Sequence, residues 1–437
     1  MDIQFYGAAN MVTGSNYLIK TEKYNILVDC GMFQGNDELE RMNFDNFPYN
    51  PSEIDYLLLT HEHIDHSGRI PKLIKDGFKG RIIATKPTYD SCKIMLIDSA
   101  KIQEADVEWE NRKRQRAGKK LVEPLYTIEE AEISLKFFET YLYDQKIDIH
   151  EDIQLRFRDA GHMLGSSIIE LWIKEKGDYI KVVFSGDLGM PKRPIINNPE
   201  YIDEADDLII ESTYGDKIHE GYGKSSGELV EIINKTVLRG GTVIIPSFAV
   251  GRTQELIYEL NKHYEYNKQI EEYMKIPIYV DSPMAVLATG AFQANSSSFN
   301  EEAKNLILKG DNPFIFPNLR YVKDQKESMA LNKYKFPKVI ISSSGMATAG
   351  RIRHHLKHNI WDEKNSLVFV GYQAEGTLGR IILNGAKKVK ILGEEVAVKS
   401  EIDDLEGFSG HADQIMLLDW IRKFKVKPQK IFIVHGE

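Results

Sequence analysis

The chain has 437 residues, room for one large or two medium domains, and 42% of them are hydrophobic, enough for a sizeable core. Its net charge of −9 argues against indiscriminate nucleic-acid binding, though a basic cleft can sit on an acidic body. Only two cysteines, Cys30 and Cys92, occur, in no metal-like or redox-like spacing, and the chain opens with neither a basic n-region nor a long apolar run. A disulfide scaffold, a secretory signal and a bilayer span are therefore not expected, and the expected compartment is the cytoplasm.

In chain order, short β-runs come first: Ile3–Tyr6, Asn16–Ile19 and Asn25–Asp29, with Gly14-Ser15 and Glu22-Lys23 as turns. Tyr56–Thr60 is almost wholly apolar, as a buried strand should be. Ser67–Asp76 reads as a helix. The segment from Thr88 to Tyr143 is charged and reads as largely helical, with a break near Gly118. Within it, Arg112-Lys113-Arg114-Gln115-Arg116-Ala117-Gly118-Lys119-Lys120 is the densest positive run. A solvated helix end accounts for it; contact with backbone phosphates is the functional alternative.

Strands are expected next at Gln154–Arg158, Ser167–Ile173, Lys181–Ser185 and Leu208–Glu211. From Ser212 to Lys388 strands alternate with helices. Thr242–Pro246 precedes a helix over Arg252–Tyr266, Ile278–Asp281 precedes Met284–Gln293, and Val339–Ser342 and Leu367–Val370 are also followed by helices. That alternation predicts a mainly parallel α/β domain. From Val389 short strands return, and a helix over Ala412–Phe424 leads into a last strand, Lys430–Val434. The expected organisation is one domain built from residues 1–212 and 389–437, with residues 213–388 inserted into it.

The chemistry concentrates at His61-Glu62-His63-Ile64-Asp65-His66, directly after the buried run. His61 and His63 can face one metal ion, and Asp65 and His66 a second. Zinc takes both donor types, and paired metals assist hydrolysis. Asp29 ends a strand and can hydrogen-bond the metal-binding loop; alone, it could simply start a turn. His162, in Asp159-Ala160-Gly161-His162, can supply a third imidazole. Asp187, in Ser185-Gly186-Asp187, can bridge two metals, and His435 follows the final strand. None of these is specific alone.

In chain order these segments resemble the metallo-β-lactamase superfamily. Glu211 in Ile210-Glu211-Ser212-Thr213, His411 in Phe408-Ser409-Gly410-His411 and His435 are similar to motifs A, B and C of its β-CASP branch. The nearest sub-group is the nucleases similar to the polyadenylation cleavage subunit and its bacterial and archaeal relatives. A histidine at motif C is the pattern of the RNA-processing members. One departure is that the sequence stops two residues after His435, where members usually continue with a closing helix.

The resemblance implies an αββα sandwich carrying an inserted, mainly parallel β-CASP domain. It implies two zinc ions. His61, His63 and His162 would hold the first; Asp65, His66 and His435 the second; Asp187 would bridge them. Asp65, Glu211 and His411 would be catalytic, with His411 protonating the leaving oxygen. RNA would lie in the cleft between the domains, and a homodimer is left open. The sequence alone also leaves open a small-molecule hydrolase of the same superfamily and a non-catalytic RNA-processing scaffold.

Three Gly-Arg pairs, Gly251-Arg252, Gly350-Arg351 and Gly379-Arg380, each follow a strand and loop and open a helix. An arginine there opposes the helix dipole unless an anion is near. Ser247, Phe248, Ser344 and Ser409 accompany these arginines as candidate phosphate or base contacts. Pairing of the arginines with nearby acids is the structural alternative.

Overall fold

Most strands alternate inward apolar and outward polar residues, or are apolar throughout, and the computed structural model shows why. It describes residues 1–219, 222–266, 276–374, 376–405 and 410–437. The first six strands are β1 (Asp2–Phe5), β2 (Tyr17–Lys20), β3 (Asn25–Val28), β4 (Tyr56–Leu58), β5 (Arg81–Thr85) and β6 (Phe138–Tyr141). They form one sheet in that order, antiparallel from β1 to β3 and parallel from β3 to β6. The next five are β7 (Ile147–His150), β8 (Ile153–Asp159), β9 (Ser167–Glu175), β10 (Asp178–Phe184) and β11 (Asp207–Glu211).

Eight further strands are β12 (Thr242–Pro246), β13 (Ile278–Val280), β14 (Leu319–Tyr321), β15 (Lys338–Ser342), β16 (Ser366–Phe369), β17 (Lys388–Ile391), β18 (Glu394–Ala397) and β19 (Glu401–Asp404). The last strand, β20 (Lys430–Val434), joins the second sheet, whose order is β20-β11-β10-β9-β8-β7.

Two compact units result: Met1–Pro191 with Asn198–Ile218 and His411–Glu437, and Lys192–Asn197 with His219–Gly410. In the first unit the two sheets face each other. Ile19, Val28, Leu58 and Ile83 from one meet Leu155, Phe157, Leu171, Val182 and Ile209 from the other. β8 buries every second residue, as a strand between a core and a partly wet face must. The outer face of the first sheet packs Leu57, Ile82 and Ala84 against helix residues Leu73, Cys92 and Leu96. The outer face of the second packs Val183 and Leu208 against Leu417 and Trp420 of helix Gln414–Arg422. The layers are therefore helix, sheet, sheet, helix, the expected sandwich.

In the second unit all neighbours in the order β14-β13-β15-β12-β16-β19 are parallel. Each crossover is helical, as parallel pairing requires. The predicted inserted α/β domain has this architecture.

Several elements differ from the sequence reading. Ser67–Asp76 is not one helix: Ile64–Ser67 and Ile70–Lys75 are separate, with Pro71 in the first turn of the second, where its missing N–H costs nothing. The helical stretch expected up to Tyr143 ends earlier. Phe138-Glu139-Thr140-Tyr141 is β6, paired with β5, and this aromatic and β-branched run suits a pleated edge. The return to the first unit falls at His411, beyond the boundary expected at Val389. β19 completes the parallel sheet beside β16, and Val389, Ile391 and Val396 of the β17–β18 hairpin pack on Ile352, Leu356 and Ile382. Period and composition reveal short strands but not which sheet takes them.

Candidate metal centre

The C-terminal ends of β3, β4, β8, β10, β11 and β20 come together at one edge of the first unit, and each delivers a side chain that could act. β4 runs into Leu59-Thr60, then His61 and His63 on an extended stretch, then the short helix with Asp65 and His66. The loop after β8 carries His162 and the loop after β10 carries Asp187. These two loops touch so closely that a Cβ at Gly189 would stand 1.6 Å from the Gly161 carbonyl oxygen. His435 follows β20 in a left-handed turn at φ 53°, and Asp29 follows β3 at φ 59°.

The donor atoms form two groups. Nε2 of His61 and Nε2 of His162 lie 3.1 and 3.2 Å from Nδ1 of His63. Nε2 of His66 lies 3.1 Å from Nε2 of His435, which is 3.4 Å from Oδ2 of Asp65. Asp187 belongs to both. Its Oδ2 is 3.4 Å from His61 and 3.6 Å from His162, while its Oδ1 is 3.3 Å from His66 and 3.7 Å from His435. Ligand nitrogens held tetrahedrally at ~2.0–2.1 Å from one ion stand about 3.3 Å apart. The observed separations match that geometry.

Protonation fits as well. Burial drives His61 down to about 4 and His63 to about 3, and holds His162 well below the usual histidine range. These rings are neutral at pH 7, and their nitrogens stand as close to one another as ligands sharing one ion would. Burial opposes ionisation of Asp187, but the imidazoles around it, His435 and His66 foremost, outweigh burial and hold it well below the carboxylate range. Its Oδ1 is buried and accepts no hydrogen bond among the described residues. An ionised, unsatisfied oxygen between two histidine groups suits a bridging metal ligand.

Neighbouring groups orient the candidate ligands. Asp29 Oδ2 accepts from His66 Nδ1 at 2.7 Å, leaving Nε2 to face the cluster. Thr60 fixes that carboxylate through its N–H at 2.8 Å and its hydroxyl at 2.8 Å. The Thr213 hydroxyl lies 2.8 Å from His435 Nδ1 and does the same for that ring. Neither threonine was singled out in the sequence; the signal available was only their position beside a ligand.

His411 and Glu211 form a further pair on the same edge. His411 Nδ1 is 3.2 Å from Glu211 Oε2 and 3.9 Å from Asp187 Oδ2. Burial lowers the His411 pKa, but Glu211 and then Asp187 outweigh it and carry it up to about 9. Glu211 is itself anchored by the Leu188 N–H at 2.6 Å. The imidazolium is 19% exposed, so it is both charged and reachable.

Glu62, between the two first histidines, contributes no ligand atom to these groups. It is buried, and burial pushes its carboxyl up to about 8.

The arginines of the second unit are placed differently. Arg252, the first residue of helix Arg252–Tyr266, pairs with Glu255, which also pairs with Arg193. Arg351 Nη1 reaches Asp281 Oδ1 at 2.6 Å. Ser247 is buried and accepts from the Thr253 hydroxyl at 3.1 Å. Ser344 accepts from Thr348 N–H at 3.1 Å. Phe248 is 42% exposed, its ring so near Gly345 that a Cβ there would stand 2.9 Å from it. Arg380 lies in the first turn of helix Leu378–Leu383 and is partly buried. Ser409 lies outside the described residues.

An αββα sandwich whose strand ends gather six imidazoles, counting His411, and the carboxylates of Asp65 and Asp187 defines a metallohydrolase-type centre. Comparison with known families agrees. Residues 10–246 match the metallo-beta-lactamase superfamily, 253–382 the Beta-Casp domain, and 395–437 the Zn-dependent metallo-hydrolase RNA specificity domain. The chain is 38% identical over its whole length to Ribonuclease TTHA0252 of Thermus thermophilus, covering 93% of that protein. It is 33% identical over its whole length to the Transcription termination factor FttA of Methanocaldococcus jannaschii, covering 67% of it. A protein of unknown function from Enterococcus faecalis V583 shares the fold at a TM-score of 0.55 and 14% identity, over 99% of this chain and 93% of that one. This chain belongs to the metallo-β-lactamase superfamily, in its β-CASP branch.

Proposed function

We propose that the protein is a two-zinc ribonuclease, hydrolysing RNA phosphodiesters to 5′-phosphate and 3′-hydroxyl ends. One observation carries the reading: Asp187 offers one oxygen to each of two ligand groups, and the His411–Glu211 pair stands beside it. Bound in those two groups, zinc would supply an activated water and Lewis acidity toward the phosphoryl oxygens. The chain's own residues supply the rest. Asp29 and Thr213 hold the rings of His66 and His435 in one orientation. The ribose 3′-oxygen is a poor leaving group and needs a proton as its bond to phosphorus breaks; His411, kept as imidazolium by Glu211, gives it. Glu211 then stabilises the same ring for reprotonation.

RNA as substrate is supported by the match to an RNA specificity domain and by the ribonuclease among the relatives. In the second unit, Phe248, Ser344 and Arg380 are the residues we assign to RNA contact. Arg252 and Arg351, tied to Glu255 and Asp281, shape the loops that carry them. The two cysteines are free buried thiols, and no helix among the described residues is long and apolar enough to cross a membrane; a cytoplasmic setting accords with both.

The test is end-group analysis of RNA labelled at either terminus, with metal-replete and metal-stripped protein. A 5′-phosphate and a 3′-hydroxyl that appear only with metal are expected. A 2′,3′-cyclic phosphate would show that the RNA supplied the nucleophile. Full activity after thorough demetallation would remove the metals from the reaction.

A further inference from the structure

The basic run noted in the sequence occupies the tip of an arm. Helix Lys86–Arg116 is 31 residues long, yet its buried residues stop at Ala100, and none from 101 to 124 is buried. Packing therefore does not explain its second half. The tip is nevertheless a defined structure. Gly118, at φ 64°, lets the chain reverse: its N–H donates to the Gln115 carbonyl at 3.2 Å and the Lys119 N–H to the Arg114 carbonyl at 2.8 Å. The descending segment is fastened to the helix, with Asn111 and Val122 exchanging hydrogen bonds of 2.8 and 2.9 Å and Arg114 Nε donating to the Lys120 carbonyl at 2.8 Å.

Residues 111–121 hold Arg112, Lys113, Arg114, Arg116, Lys119 and Lys120 and no carboxylate, on a chain of net charge −9. Arg112 and Arg114 pair with Glu108 and Glu110 one turn back. Cations in a last turn complement the helix dipole, which accounts for the three nearest the helix end. It does not account for Lys119 and Lys120, beyond that end, or for the exposed aromatic that precedes it. Trp109, 61% exposed, lies on one helical face with Ile102, Lys113 and Arg116, with Lys113 over its ring. The cations left without an acid at the tip, with Trp109 exposed under Lys113, suit a polyanion with stackable faces.

The root of the helix is at the metal centre. The Thr88 hydroxyl donates to the Gly165 carbonyl at 2.9 Å, in the loop that carries His162. At ~1.5 Å of rise per residue, Arg112 to Arg116 stand roughly 36–42 Å along the axis from Thr88. That is the length of roughly a dozen nucleic-acid base pairs.

We propose that this tip is an RNA anchor remote from the metal centre, holding the backbone of a structured RNA while another part of the same molecule is cleaved. The proposal rests on the ribonuclease reading and adds a length requirement to it. A substrate long enough to touch both places gains affinity; a very short one does not.

The test uses the full chain, with Lys113→Gln, Arg116→Gln, Lys119→Gln and Lys120→Gln combined, and separately Trp109→Ala. The probes are a hairpin of about 20 base pairs with a cleavable single-stranded tail, and a tetranucleotide that cannot span ~36 Å. The expected result is a roughly 10–100-fold weaker hairpin affinity for the fourfold variant, with its salt slope lower by about 3. Trp109→Ala should weaken hairpin binding without changing that slope. Tetranucleotide cleavage should be unaltered in both. Unchanged hairpin affinity and slope would overturn the proposal, as would equal losses on both probes. Unchanged hairpin affinity with lost adsorption to phosphatidylserine vesicles would assign the stripe to a lipid surface and overturn it too. Hairpin binding without cleavage of either RNA by the wild-type protein would instead sink the ribonuclease reading and leave the anchor standing.

Discussion

Both units gather charged side chains at the C-terminal ends of parallel strands, but they finish the job differently. In the second unit Asp281 and Glu255 each have a counter-charge. Asp281 accepts from Arg351 and His355 at 2.6 Å each and from the Ser328 hydroxyl at 2.5 Å. Glu255 takes both Arg193 and Arg252, and Arg193 also donates to the Gly410 carbonyl at 2.9 Å, next to His411. In the first unit the ring nitrogens of His61, His63 and His162 face one another, and Asp187 Oδ1 faces the rings of His66 at 3.3 Å and His435 at 3.7 Å. The closed set fixes backbone, and the open set gathers donor atoms around one carboxylate. Buried charge alone does not mark a candidate site; donor atoms turned toward one another do.

That contrast can be broken by substitution. The largest effect belongs to the open set: Asp187→Ala or His63→Ala should abolish RNA cleavage and lower bound zinc, read by metal analysis beside activity. Cleavage retained at wild-type rate would mean the open set is not the catalytic one.

His411→Ala should cut RNA hydrolysis by roughly 10²–10⁴-fold while zinc content stays. It should spare a phosphodiester with an activated aryl leaving group, which departs without a proton. Glu211→Gln should show a milder form of the same selectivity. Equal losses on both substrates would make His411 a positioning residue for phosphate; loss of zinc would make it a ligand, with His435 the residue to exchange roles.

The closed set should respond in stability instead. Asp281→Asn removes the counter-charge of Arg351 and should cost about 3 kcal/mol in urea unfolding at pH 7, with zinc content unchanged. Burial raises the Asp281 pKa, but His355, Ser328 and Arg351 outweigh it and the net shift is downward. A carboxylate depressed on folding contributes stability above its unfolded pKa and loses it as pH falls through its folded pKa. The deficit of the variant should therefore be constant from neutral pH down to about 4 and shrink below it. A deficit that grew in acid would contradict the ion-pair account.

The smallest effect is expected for Arg380→Ala: weaker RNA binding across sequences, with the salt slope lower by about 1. No change at all would return this arginine to the closed set with Arg252 and Arg351.

Much of the metal centre was legible because its residues are unusual in type and place. Three imidazoles within six residues after a buried strand have few other uses, and Asp187, His162 and His435 each sit just past a strand. Thr60 and Thr213 were not legible, since a hydroxyl beside a ligand looks like any other. The Gly-Arg pairs were visible as a repeat, but their partners were not. Asp281 lies 70 residues before Arg351, and only pairing of β13 with β15 brings their loops together.

The sequence by itself determined the fold class, the alternation of two sheet architectures and the gathering of histidines and aspartates just past strand ends, because these depend on local period and on side-chain chemistry. Only the tertiary structure decided which strands share a sheet, that residues 389–405 join the second unit, and which charges are closed off and which left open. Those outcomes depend on contacts between residues far apart in the chain, and apolar strands of equal length and period carry no local mark of the neighbour they will take.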